Sequence, residues 1–160
     1  MKDIIKKERM RIYDDKMDSL LGIIAEFYAM TKEEITCGGN KRDYVEPRQV
    51  FFLLAKDEMS IPIVKIGRFV GKHHATVLHG VDVLSNEMEY NKPLRTRVNI
   101  IRDEYRDLMS KEIKDFEERK ETAKRALNDL FDLFHSNDYI ATGSTFERGS
   151  NLLKQLKKLI

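Results

Sequence analysis

Apolar positions recur along this chain at spacings of three and four residues, the period of helices that bury one face. Leu20, Leu21, Ile23, Ile24, Phe27 and Tyr28 give a helix with a broad apolar side. Thr31 and Glu34 have the spacing of a capping box, in which hydroxyl and carboxylate satisfy backbone N–H groups at a helix start. Ile35 then packs inward, and this short helix ends before Gly38-Gly39-Asn40. Pro47 opens the next helix, because a missing N–H costs nothing in the first turn. Val50, Phe51, Leu53, Leu54 and Ala55 line its buried side, while Arg48, Gln49 and Lys56 project elsewhere. Ser60 caps a following helix with Pro62 in its first turn and Ile63, Ile66 and Val70 at helical spacing. Gly71 permits the left-handed backbone of a tight turn. A second helix starts near His73, with Val77, Val81, Leu84 and Met88 as its core-facing stripe. Short helix, glycine turn and second helix across residues 62–90 make a helix-turn-helix.

Beyond Pro93, which disfavours helical geometry at Lys92, the pattern narrows. Leu94, Val98, Ile101, Tyr105 and Leu108 alternate steps of four and three. After a phase slip near Leu108-Met109, the pattern resumes with Ile113, Phe116, Ala123, Leu127, Leu130 and Phe134. A narrow stripe with charged flanks predicts coiled-coil pairing, with the N-terminal segment, a second copy in a homodimer or another protein as partner. If unbroken, Pro93 to Phe134 would span roughly 60 Å. The alternative is two helices, broken near Ser110 and packed on the preceding domain. Residues 136–151 read as a loop, and residues 152–160 as a short basic amphipathic tail that docks on the helical body or a partner. A segment so short buries too little area to hold a membrane. The expected fold is all-α: a charged helical lead-in over residues 1–17, a compact multi-helix domain over 18–91, and a long helical C-terminal extension over 92–160.

Composition supports the helical reading. Of 160 residues 35% are charged and 41% hydrophobic, with three prolines, eight glycines and no tryptophan. Straight-chain residues dominate, and these lose little rotamer freedom in helices. Cys37 is the only cysteine, which excludes a disulfide framework or a cysteine-based metal site within one chain. No run suits a signal peptide or a membrane span, so a cytoplasmic location is expected. The net charge of +2 is uninformative, but Lys41 to Gly80 holds seven Lys/Arg against four Asp/Glu, a local +3.

Candidate chemistry lies where the helix-turn-helix leaves residues outside its core. Lys72, His73, His74, Ala75, Thr76 and His79 cluster at the start of the second helix. A helix N-terminus presents N–H groups and a positive dipole end that suit phosphate. Small or polar side chains in its first turns reach base edges in a major groove, Ala75 and Thr76 offering methyl groups and Thr76 a hydroxyl. The competing readings are plainer. No two of His73, His74 and His79 stand four residues apart, so they lack the spacing of paired metal ligands on one helix face. Gly38-Gly39 lacks the Lys-Ser/Thr of a nucleotide-binding loop and reads as a turn. Arg48 and Lys56 taken alone also fit solvated charges. With no nucleophile–base pair and no metal constellation, neither an enzyme nor a cofactor is expected.

These residues also carry a family resemblance. The stretches IIAEFYAMTKEEI, KRDYVEPRQVFFLLAKDEM and SIPIVKIGRFVGKHHATVLHGVDVL resemble, in order and spacing, the C-terminal double-stranded-DNA-binding domain of the bacterial replication initiator DnaA. That fold is similar to the Trp repressor, with an extra helix supporting the helix-turn-helix. The resemblance implies that His73, His74, Ala75 and Thr76 face the major groove. It places Arg48, Gln49 and Lys56 near phosphates and His79 close to the backbone. The family's minor-groove arginine falls on Asn40 here, with Lys41 and Arg42 beside it as substitutes. His73 stands where the family has aspartate and Ala75 where it has threonine, so the family's target site does not transfer. Nothing in the sequence resembles the family's ATPase motifs, so the complete ATP-driven initiator is not expected. A transcriptional regulator on the same fold, or a protein-interaction module that has lost DNA recognition, are the alternatives.

Overall fold

The computed structural model describes residues 2–37, 39, 41–135, 151 and 154; of residues 2–10, 131 and 133–135 it describes the backbone alone. The described residues form α1 (Lys2–Phe27), α2 (Lys32–Cys37), α3 (Arg42–Met59), α4 (Ile63–Phe69), α5 (His74–Tyr90) and α6 (Lys92–His135). The all-helical expectation holds. The chain divides into two compact units, residues 1–107 and 108–160, and α6 continues from one into the other. The break considered near Ser110 is therefore absent. Asn40 and most of residues 136–160 lie outside the described residues, as does the Phe134 side chain.

In the first unit α3 is the central helix, packed against α1, α2, α4 and α5. Val50 through Ala55 are buried without interruption, which requires apolar neighbours on every side. Phe52 joins the expected core set for that reason. Met17, Leu20, Leu21, Ile23, Ile24 and Ala25 of α1 supply one wall, while Phe27 and Tyr28 are only half-buried. Leu94, Val98, Ile101 and Tyr105 of α6 are buried in the same unit. Three arginines fix this part of α6 along α3: Arg97 reaches Glu46 at 2.8 Å, and Arg102 and Arg106 reach Glu58 at 3.0 and 2.8 Å.

Helix ends explain two departures from expectation. α3 starts at Arg42, five residues before Pro47, which lies inside the helix. Proline there removes the bond to the carbonyl four residues back, a loss confined to the second turn. Ser60 closes α3 instead of opening α4. It adopts left-handed backbone, φ 51°, and its N–H binds the Ala55 carbonyl. Pro62 is the residue that precedes α4 in extended conformation. The capping box on α2 forms as expected: the Thr31 N–H donates to Glu34 Oε2 at 2.8 Å, and the Glu34 N–H donates to Thr31 Oγ1 at 3.2 Å.

Candidate nucleic-acid interface

α4 and α5 join through a turn whose geometry depends on two glycines. Gly71 sits at φ +64°, in the left-handed region. Gly67 meets a different demand. A Cβ built on it would lie 2.5 Å from the Lys72 carbonyl oxygen and 3.5 Å from Val77 Cγ2. The Lys72 N–H in turn donates to the Gly67 carbonyl at 2.8 Å. Only a residue without a side chain lets the two backbones approach so closely. Gly80 plays the same part where α5 crosses α3, since a Cβ there would come within 2.9 Å of Phe52 Cδ2. Phe51 stacks on Phe69 with ring centres 5.8 Å apart, tying α4 to the central helix.

With Val77, Gly80, Val81 and Leu84 buried, α5 turns its other side outward. His73, His74, Ala75, Thr76 and His79 are exposed and Lys72 is half-exposed. Leu78 lies among them, 44% exposed. The acidic residues of this helix, Asp82, Glu87 and Glu89, all come after residue 81. The start of α5 is thus free of acidic side chains and carries the positive end of the helix dipole.

His73 does more than face solvent. It is the N-cap of α5, and its Nδ1 accepts the Ala75 N–H at 3.3 Å. Its ring lies 4.1 Å from that of His74. The position resembling the family's aspartate is therefore a capping position, and aspartate is a strong capping residue. The cap requires an unprotonated Nδ1.

The other sequence-derived candidates divide. Lys41 precedes α3 and is exposed, Lys56 is exposed, and Gln49 is half-buried beside Gly80. Arg42 is largely exposed but bonds Glu87 at 2.8 Å. Arg48 is the correction: it does not project outward. It is only 7% exposed, and its Nε donates to the Ile35 carbonyl at 2.6 Å. Burial lowers its pKa from the ordinary guanidinium value. The residue ties α2 to α3, because the last carbonyls of a short helix need donors. Sequence reading also passed over Arg68, exposed in the last turn of α4. Its place beside Gly67 and Gly71 was the available signal.

Across the unit, Tyr28 donates its hydroxyl to Glu46 Oε1 at 2.9 Å, and Arg97 reaches the same oxygen through Nη2 at 2.8 Å and Nε at 3.2 Å. Burial, then the hydrogen bond and charge of Glu46, push the Tyr28 hydroxyl far above its ordinary pKa. This cluster positions α3 and α6 and stands apart from the start of α5. Among the described residues no three His, Cys, Asp or Glu side chains gather as a metal site, and no helix is long and apolar enough to cross a membrane.

The model of the bacterial dnaA protein helix-turn-helix matches residues 17–83, the stretch from α1 to the middle of α5. Residues 17–83 are thus similar to the bacterial DnaA helix-turn-helix family. The chromosomal replication initiator protein DnaA of Thermomicrobium roseum is 32% identical over 52% of this chain. Its counterpart from Francisella tularensis is 29% identical over 69%. The chain spans about a fifth of the length of these curated relatives, 18% and 21% respectively. A crystal structure described as a DNA replication initiation factor superposes with a TM-score of 0.56 at 23% identity, over 65% of this chain and 32% of that one. At that identity the likeness speaks to fold. The matched residues end at 83, so the last turns of α5 and all of α6 lie outside the family match.

Proposed function

We propose that this chain binds double-stranded DNA in a sequence-specific manner, with the start of α5 in the major groove, and acts in replication initiation or its control. The observation that carries this reading is the run of exposed side chains from His73 to Thr76, with half-exposed Lys72 before it and His79 one turn further on, all ahead of the first acidic residue of α5. Ala75 and Thr76 are suited to base edges, and Lys72 and Arg68 to phosphates on either side of the turn. Lys41 and Lys56 flank the same domain. Arg42 joins them by exchanging Glu87 for a phosphate, a small cost because exposed ion pairs are weak. Arg48 has a supporting role, holding α2 against α3. The relatives' identity as chromosomal replication initiators motivates the replication setting, and such a role places the protein in the cytoplasm.

Titration of a random-sequence duplex at several salt concentrations tests the binding step. Nonspecific affinity should fall steeply with salt, and Lys72→Ala or Arg68→Ala should each reduce the log–log slope by about one. Absence of duplex binding at micromolar protein in low salt would rule the reading out.

A further inference from the structure

In the second unit, α6 leaves three large apolar side chains in water. Ile113 and Phe116 are each 64% exposed and Leu127 is 61% exposed. They share one helical stripe with Lys120, Ala123 and Leu130, at alternating steps of three and four. That is the seam of a two-stranded coiled coil. Leu130 is already buried within its own chain, and Ala123 is half-buried.

The charges beside the stripe decide what fits it. One edge carries Glu117 followed by Lys124, and the other Glu112 followed by Arg119; all four side chains are exposed. Two parallel copies would bring opposite edges together, five residues apart in register. Glu112 would then face Glu117 of the second copy, and Arg119 would face Lys124, so each contact would be repulsive. Antiparallel copies bring like edges together. In the register that stacks Phe116 on Leu127 of the second copy, Glu117 meets Lys124, and the two-fold axis repeats both contacts. Lys120 then lies opposite the small Ala123, which leaves room for its stem to bend out to water. A polar residue at one seam position also fixes orientation at some cost in stability.

We propose that this segment of α6 self-associates with a second copy of the chain as an antiparallel pair, selected by Glu117–Lys124 and sealed by Phe116–Leu127. The surface lies outside the DnaA-type domain and is independent of DNA.

The test is the mass of the whole chain in solution, with two charge variants and two cysteine pairs. Sedimentation should show a concentration-dependent dimer. Lys124→Glu should weaken it about tenfold or more, since two attractive pairs become repulsive. The swap E117K/K124E should restore it. Phe116→Ser should abolish it without changing the helical signal, because the side chain is exposed in the single chain. In a Cys37→Ser background, E117C/K124C should oxidise to a covalent dimer. Within one chain these positions lie about 10 Å apart along the helix, beyond disulfide reach. A covalent dimer from E112C/E117C instead would mean parallel strands and overturn the proposal. So would a strictly monomeric mass at about 0.1 mM chain, where an association of millimolar strength would already register.

Discussion

Gly67→Ala is the sharpest perturbation of the helix-turn-helix. The added Cβ would meet the Lys72 carbonyl oxygen at 2.5 Å, and that atom belongs to the backbone. Relief requires the turn to retreat by roughly half an ångström or more, at an overpacking cost of about 1–3 kcal/mol. The retreat also stretches the 2.8 Å bond from the Lys72 N–H to the Gly67 carbonyl. A weakened backbone bond adds about 1 kcal/mol. Alanine's better helix propensity returns about 1 kcal/mol, because Gly67 lies within α4. The net expectation is a loss of about 1–3 kcal/mol, read as a lower midpoint in urea at unchanged slope. Gly71 supplies the contrast. Nothing lies within 4 Å of a Cβ there, so Gly71→Ala costs only the left-handed backbone, about 1–2 kcal/mol. Asparagine, which tolerates that conformation, should recover much of the loss at 71 and none of it at 67. A Gly67→Ala protein as stable as the parent would refute the close-approach argument, as would rescue by asparagine at 67.

Two further outcomes follow from polar side chains that tie the helices of the first unit together. Arg48→Met should destabilise the first unit by about 2 kcal/mol in denaturant titrations, because it strips the Nε donor from the Ile35 carbonyl; unchanged stability would mean that Arg48 is not the tie between α2 and α3. Tyr28 carries a pKa raised above the ordinary 10.0, so the folded state holds this proton more tightly than the unfolded chain. Its stabilisation is complete below pH 10 and is lost as pH rises through the folded value. Tyr28→Phe should therefore flatten the alkaline decline in melting temperature, and an identical decline in both proteins would count against it.

Much of this architecture is legible from spacing. Thr31 and Glu34 announce their capping box, Gly71 its turn, and Val77, Val81 and Leu84 the buried face of α5. These are local signals, set within one or two turns of chain. Three features escape such reading because the path of the backbone, not the spacing of residue types, decides them. Arg48 looks like a surface charge until the Ile35 carbonyl, thirteen residues away, claims it. Gly67 looks like a weak helix residue until the Lys72 backbone folds back over it. Pro47 suggests a helix start because proline usually marks one, yet the backbone from Arg42 is already helical. Of the proposed interface, His73, His74, Ala75, Thr76 and His79 are exposed as their spacing suggests. That His73 is a cap, and that Arg42 is held by Glu87, depends on side-chain geometry that spacing does not encode.

The central claim is that the start of α5 reads a base sequence. The most direct measurement is selection of bound sites from a random duplex library, run in parallel with the parent chain, His74→Ala and Thr76→Val. The account predicts that the parent enriches a defined short site. Each variant should then relax or change the preferred base at one position, worth about 1–3 kcal/mol of discrimination, and leave the rest of the site intact. No enriched site with the parent, or the same site at every position with all three proteins, would contradict it.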